Sequence, residues 1–235
     1  MTNQEDFIAT VSHELRTPLT SIRGFAQTML SSWDRLDDDS KKKFLGIIEQ
    51  QSNRLINLVE NILSVTKLPH ESLILKNIPV NSSITPVIQI VQQQYKHHKF
   101  VTLLDKSNPS VTVDLEKFQQ IMINLIENAA KYSDEGSTVK VLTSHTDKNV
   151  SVKIQDEGIG ITDEDKEKIF GKFSRIDNPL TRKIQGSGLG LFITKTLVDK
   201  MHGEIVVRSL DKGSEFEVIF PAYNIEDHVK CSVTQ

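Results

Sequence analysis

The chain has 235 residues, 37% hydrophobic and 25% charged, which suits one or two globular domains. A formal net charge of −3 and a pI near 6.2 leave no electrostatic footprint for nucleic acid, so DNA and RNA are excluded as expected partners. The sequence has no run of about 18 apolar residues and no N-terminal signal pattern, and its one cysteine, Cys231, rules out an internal disulfide; the expectation is a cytoplasmic chain with no direct membrane contact.

From about Gln4 to Trp33 the periodicity is helical. Apolar residues at Val11, Leu15, Ile22, Phe25 and Met29 mark one seam. His13 falls between Val11 and Leu15 and so points off that seam. Pro18 lacks the N–H that would bond the Glu14 carbonyl, so a kink is expected just after the histidine. Glu14 adjoins the imidazole and Thr17 lies one turn on, on the same face. A neutral imidazole is a nucleophile near neutral pH, and a neighbouring carboxylate can hold its tautomer or take its proton. His13 is therefore a candidate covalent acceptor, provided a donor exists elsewhere.

The stretch Ser12-His13-Glu14-Leu15-Arg16-Thr17-Pro18-Leu19 resembles the H box of bacterial sensor histidine kinases of the HisKA type. The resemblance implies a phosphoacceptor His13, a sensor domain upstream, and a response-regulator receiver domain as partner. It also implies a reverse, phosphatase activity in which Thr17 places a water.

Asp34 to Ser40 supplies turn and N-cap residues, with acids suited to a helix start. A second seam follows at Phe44, Ile48, Gln51, Leu55, Leu58, Ile62 and Val65, ending before Pro69. Two long helices with one apolar stripe each cannot bury those stripes as a lone hairpin. A homodimer forming a four-helix bundle would bury them, as the family also implies; packing on the C-terminal domain of a monomer is the alternative.

Residues 1–70 are thus read as a dimerisation and phosphotransfer hairpin and 71–79 as a linker. Residues 80–222 are read as a second domain, which the resemblance implies is a catalytic ATP-binding domain, and 223–235 as a tail. In the third segment the pattern predicts helices near Ile84 to His97, over Leu115 to Tyr132, and after Gly188. Strands are predicted near Phe100 to Leu104, Val111 to Val113, Thr138 to Ser144 and Val150 to Asp156, with two more over Glu204 to Phe220. Strict βαβ alternation is lacking, so the expected fold class is an α/β sandwich, with a mixed or antiparallel sheet covered by helices on one side.

Asn124, Asn128, Lys131 and Tyr132 share one face of the Leu115 to Tyr132 helix. Amide oxygens there can ligate a hard cation, a lysine can meet phosphate, and a tyrosine can lie against a base or sugar. On the alternating strand from Val150, Asp156 lies on the face expected to be buried, and a buried carboxylate needs a donor. Gly186-Ser187-Gly188-Leu189-Gly190-Leu191 opens the next helix, where N–H groups can cradle polyphosphate.

These segments are similar to the N, G1 and G2 boxes of the same family, and Ile169 to Asp177 is similar to its F box. The resemblance implies Mg²⁺ on Asn128, phosphate on Lys131 and Arg175, and the nucleoside on Tyr132. It further implies the adenine amino group on Asp156, close backbone approach at Gly158 and Gly160, and polyphosphate over Gly186, Ser187, Gly188, Leu189 and Gly190. Asn178 to Gln185 reads as a flexible lid. Neither glycine motif completes a dinucleotide fingerprint, no P-loop run occurs, and no HRD and DFG pair exists. The expected activity is ATP-dependent protein histidine phosphorylation. An ATPase of the chaperone or mismatch-repair sort, and an ATP-binding scaffold without transfer, are the other readings.

Overall fold

The computed structural model describes residues 3–174 and 186–223. Arg175, the lid expected over Asn178 to Gln185, and Cys231 lie outside the described residues. Two compact units divide between Pro69 and His70.

The first unit is a helical hairpin. Helix α1, Asn3–Ser32, runs as one element through Pro18. A 3-10 turn, Trp33–Arg35, leads to α2, Asp38–Lys67. Asp37 caps α2 by accepting from Ser40 N at 2.7 Å, and Asp38 and Asp39 sit in the first turn, where the helix dipole favours negative charge. The two helices meet through Phe25 and Phe44, whose ring centroids are 5.2 Å apart.

Within one hairpin the seam is only partly covered. Met29 and Leu58 are buried, but Val11, Leu15, Ile22, Phe44 and Ile48 are half-buried. Leu19 is 57% exposed, Leu30 84% and Ile56 55%, so a second apolar surface runs along the hairpin. Soluble chains rarely leave such a contiguous strip facing water.

The second unit holds a five-stranded sheet in the order β2-β4-β5-β7-β6. Its strands are β2 (Lys99–Leu103), β4 (Thr138–His145), β5 (Asn149–Gln155), β6 (Glu204–Ser209) and β7 (Ser214–Pro221). The β2–β4 pair is parallel and the other pairs are antiparallel, which makes the sheet mixed. Val139 and Val141 of β4, Val152 and Ile154 of β5, and Val218 and Phe220 of β7 are buried. Helices α3 (Val80–Gln94), α4 (Leu115–Lys131) and α5 (Gly190–Lys200) supply apolar faces to this core, as in Phe118 of α4 against Phe220, with centroids 6.1 Å apart. Arg208 of β6 and Gln155 of β5 both donate to Glu215 of β7. Side-chain alternation puts these three on the sheet face opposite the core.

The stretch 71–79, read as a linker, contains strand β1, Lys76–Pro79, paired antiparallel with β3, Ser110–Val113. Helix α3 begins at Val80 rather than near Ile84 and ends at Gln94 rather than His97. The polar run Asn81-Ser82-Ser83 imitates a loop in sequence, yet Ser83 Oγ bonds the Pro79 carbonyl and Asn81 N donates to Asn108 Oδ1, so the run starts a helix. Among the described residues no helix is long and apolar enough to cross a membrane.

Candidate functional site

On the hairpin, His13 is exposed, and its ring makes no hydrogen bond to another described residue. Thr17 is also exposed; its hydroxyl donates to the His13 carbonyl at 3.3 Å, which directs the oxygen lone pairs outward. Glu14 has a partner that the sequence reading did not include. Arg54 Nη2 of α2 donates to Glu14 Oε2 at 3.2 Å, with both side chains between one-fifth and one-quarter exposed. The carboxylate beside His13 is thus tied to the second helix. The signal in sequence is weak, since Arg54 lies 40 residues away and nothing in the periodicity of α2 singles it out as the partner.

In the second unit, α4 presents the predicted polar face. Asp114 caps its start, accepting from Lys117 N at 3.2 Å. Asn124 Nδ2 donates to Thr194 Oγ1 of α5 at 2.8 Å, and Thr194 is buried. A Cβ on Gly190 would overlap Asn124 Oδ1, so the start of α5 approaches α4 as closely as only glycine allows. Asn128 is half-buried, and its side-chain amide makes no hydrogen bond to another described residue. Lys131 Nζ bonds Glu127 Oε2 at 2.6 Å, and Tyr132 forms the C-terminal cap of α4.

Asp156 is 5% exposed at the end of β5. Its Oδ1 accepts from Gly158 N at 2.9 Å and from Ser214 N at 3.1 Å, and its Oδ2 accepts from Ser214 Oγ at 2.6 Å. Burial pushes this carboxyl above its ordinary value, against the downward pull of the three donors. Ser214 is thus the donor that the buried carboxylate required. It sits on β7, 58 residues away, after Gly213, whose φ of +82° and close approach to the Asp156 carbonyl admit no side chain. Oδ2 accepts one hydrogen bond among the described residues, so it has capacity for a further donor.

The remaining predicted residues gather around the same face. Gly158 lies against the Tyr132 carbonyl, and Gly160 lies near Gly213. The hydroxyl of Tyr132 is 3.9 Å from where a Gly186 Cβ would stand. Ser187 Oγ accepts from Leu189 N at 3.3 Å, and Leu189 is fully buried as the N-cap residue of α5. Gly188 abuts Phe173, and both take left-handed backbone angles, +66° and +58°. Phe170 and Phe173 are half-buried, in keeping with packing roles. Among the described residues no group of three or more His, Cys, Asp or Glu could hold a metal ion.

One chain thus joins a helical hairpin bearing an exposed imidazole to an α/β unit in which a buried carboxylate is followed by a glycine turn lying against the end of α4. Residues 3–71 match the His Kinase A (phospho-acceptor) domain, and residues 113–224 match the histidine kinase-, DNA gyrase B- and HSP90-like ATPase domain. The chain belongs to the histidine kinase family that joins these two domains.

Among relatives, the signal transduction histidine-protein kinase ArlS of Staphylococcus haemolyticus is 33% identical over 220 residues, covering 92% of this chain and 48% of that protein. ArlS of Staphylococcus epidermidis is 34% identical over 224 residues, covering 94% and 49%. The chain spans about half the length of the curated relatives it matches. Histidine kinase ThkA, solved in complex with the response regulator protein TrrA, superposes with a TM-score of 0.75 at 26% identity over 93% of this chain and 61% of that one. Full-length ShkA, solved in complex with AMPPNP, gives 0.67 at 25% identity over 93% and 46%. The Acinetobacter baumannii histidine kinase AdeS gives 0.70 at 26% identity over 90% and 98%.

Proposed function

We propose that the chain is the catalytic core of a two-component sensor kinase that takes the γ-phosphoryl group of ATP onto His13 and passes it to an aspartate of a response-regulator receiver domain. The observation that carries this reading is the exposed, unpartnered His13 ring on one unit together with the donor-lined Asp156 on the other. Asp156 Oδ2 accepts the adenine amino group. Lys131, released by Glu127, and the N–H groups before α5 take the phosphates, with Arg175 as a further phosphate contact.

Mg²⁺ fits this donor set. Asn128 offers a half-buried amide oxygen with no competing hydrogen bond, and the scarcity of acidic ligands suits a cation that keeps waters and phosphate oxygens around it. When bound, it would neutralise charge developing on the phosphates.

In the transfer a neutral His13 ring nitrogen attacks the γ-phosphorus, the N–P bond forms, and the bond to the ADP oxygen breaks. The proton on the other ring nitrogen leaves to the Glu14 carboxylate, which Arg54 holds in place at 3.2 Å. Chemistry of this kind is mostly positioning and charge neutralisation.

Thr17, its proton committed to the His13 carbonyl, accepts from a water and orients it for dephosphorylation of the receiver aspartate. The exposed strip through Leu19, Leu30 and Ile56 pairs with a second copy in a four-helix bundle. The ThkA complex supports a receiver domain as the partner, and the ShkA complex supports an adenine nucleotide as the ligand. A cytoplasmic core is the reading consistent with ATP and a receiver domain as its reactants.

The test is transfer of radiolabelled γ-phosphate from ATP with Mg²⁺, comparing the chain with His13→Ala. Label that is lost in acid, survives alkali and disappears in His13→Ala is expected. Hydrolysis of ATP with no label on either protein would return the case to the ATPase reading.

A further inference from the structure

The C-terminal turn of α4 carries Asn128, Lys131 and Tyr132, and its last carbonyls lie beyond the reach of intrahelical donors. Ser133 Oγ takes the Ala129 carbonyl at 2.7 Å, a local cap. The Ala130 carbonyl has only a long local bond, from Ser133 N at 3.4 Å, beside the Tyr132 N–H it shares with Asn128, and takes its short bond from outside the helix, from His98 Nε2 at 2.7 Å at the corner between α3 and β2. A carbonyl only accepts, so Nε2 carries the hydrogen. The other ring nitrogen, Nδ1, is sealed from solvent with no hydrogen-bond partner among the described residues, as is the Ser137 hydroxyl, whose residue bonds Lys99 N through its carbonyl. The ring thus offers its one donor, Nε2–H, to the Ala130 carbonyl.

The same corner reaches the lysine of the nucleotide face. Tyr95 lies beside His98, with ring centroids 6.2 Å apart. Its hydroxyl is pushed up by burial and then by the charge of Glu127, the residue that holds Lys131. Backbone bonds from Gly136 N to the His97 carbonyl and from Lys99 N to the Ser137 carbonyl fix the corner to the loop after α4, and one from His98 N to the Tyr95 carbonyl closes the corner itself. The imidazole is thus a rigid post under the end of the helix that bears the ligand contacts, and it touches none of the expected ligand positions itself.

We propose that His98 is a positioning residue for nucleotide binding: its Nε2–H pins the Ala130 carbonyl, and through it the last turn of α4, so that Asn128, Lys131 and Tyr132 face the ligand together. This rests on the kinase reading of the α4 face.

The test uses the full chain with His98→Leu, which removes the donor, and His98→Gln, whose Nε2–H₂ can reach the same carbonyl. One readout needs no nucleotide: hydrogen exchange of residues 128–136. The second is the dissociation constant for AMPPNP with Mg²⁺. His98→Leu is expected to speed exchange in that segment and weaken AMPPNP binding by about threefold to tenfold each, the equilibrium factor of one net hydrogen bond, and His98→Gln is expected to recover most of both. Unchanged exchange and affinity in a folded His98→Leu chain would overturn the proposal. A folded His98→Gln chain that fails to recover either would do the same, because the donor would then not be the cause. If the parent chain binds no AMPPNP although exchange responds to His98→Leu, the kinase reading itself falls and the nucleotide part of the proposal falls with it.

Discussion

Asp156→Asn separates stability from ligand binding, because the two depend on opposite properties of the same side chain. Oδ1 receives two backbone N–H groups, from Gly158 and Ser214, so the amide oxygen of the replacement must take that place. The amide NH₂ then stands where Oδ2 was, and the Ser214 hydroxyl can rotate to accept from it. Folding loses no donor–acceptor match and no longer buries a charge. An adenine amino group, however, would meet a donor instead of an acceptor. Losing a hydrogen bond to a charged group costs about 1.5–3 kcal/mol and leaving a buried donor unmatched about 1–3 kcal/mol, so AMPPNP affinity should fall by about a hundredfold or more.

The pH dependence of stability has a definite sign. The carboxyl of Asp156 is raised in the fold from 3.8, so its favourable contribution is complete below 3.8 and is lost as pH rises through the folded value. The variant should therefore melt at the same temperature as the parent or higher at neutral pH. The difference should shrink as acid protonates Asp156 in the parent. Calorimetric titration with AMPPNP and melting curves at neutral and mildly acid pH check both halves. A variant that binds AMPPNP as the parent does, or one that loses stability and affinity together, would refute this account of Asp156.

Gly190→Ala should drive the Asn124 amide away from Thr194, costing about 1–3 kcal/mol of stability by overpacking and weakening AMPPNP binding, as read by melting and titration. A double-mutant cycle of Glu14→Gln and Arg54→Met should give a coupling of no more than about 1 kcal/mol in hairpin stability, since the pair is partly solvated, while Glu14→Gln slows labelling of His13 far more than it lowers the melting temperature. Leu19→Lys should shift the chain from dimer to monomer in sedimentation without unfolding the second unit, because it charges the exposed apolar strip and leaves the half-buried seam intact.

Local pattern carried much of this protein. The H-box helix, the acidic start of α2, the α4 helix and the alternation through Asp156 were legible because periods of 3.6 and 2 are written residue by residue, and the glycine turns because close backbone approach excludes side chains. Strand β1 was not legible: four residues ending in proline read as a linker until β3 supplies the other edge. Nor was the early start of α3, where short polar side chains serve a helix start and a loop equally well.

What tertiary structure alone decided is the partner of each functional side chain. Ser214 for Asp156, Thr194 for Asn124, Arg54 for Glu14 and the His98 post under Ala130 join positions 58, 70, 40 and 32 residues apart. The sequence could require that a buried carboxylate have a donor, because desolvating an unpaired charge is prohibitive. Only the antiparallel pairing of β5 with β7, set by which apolar faces close the core, could say that the donor is Ser214.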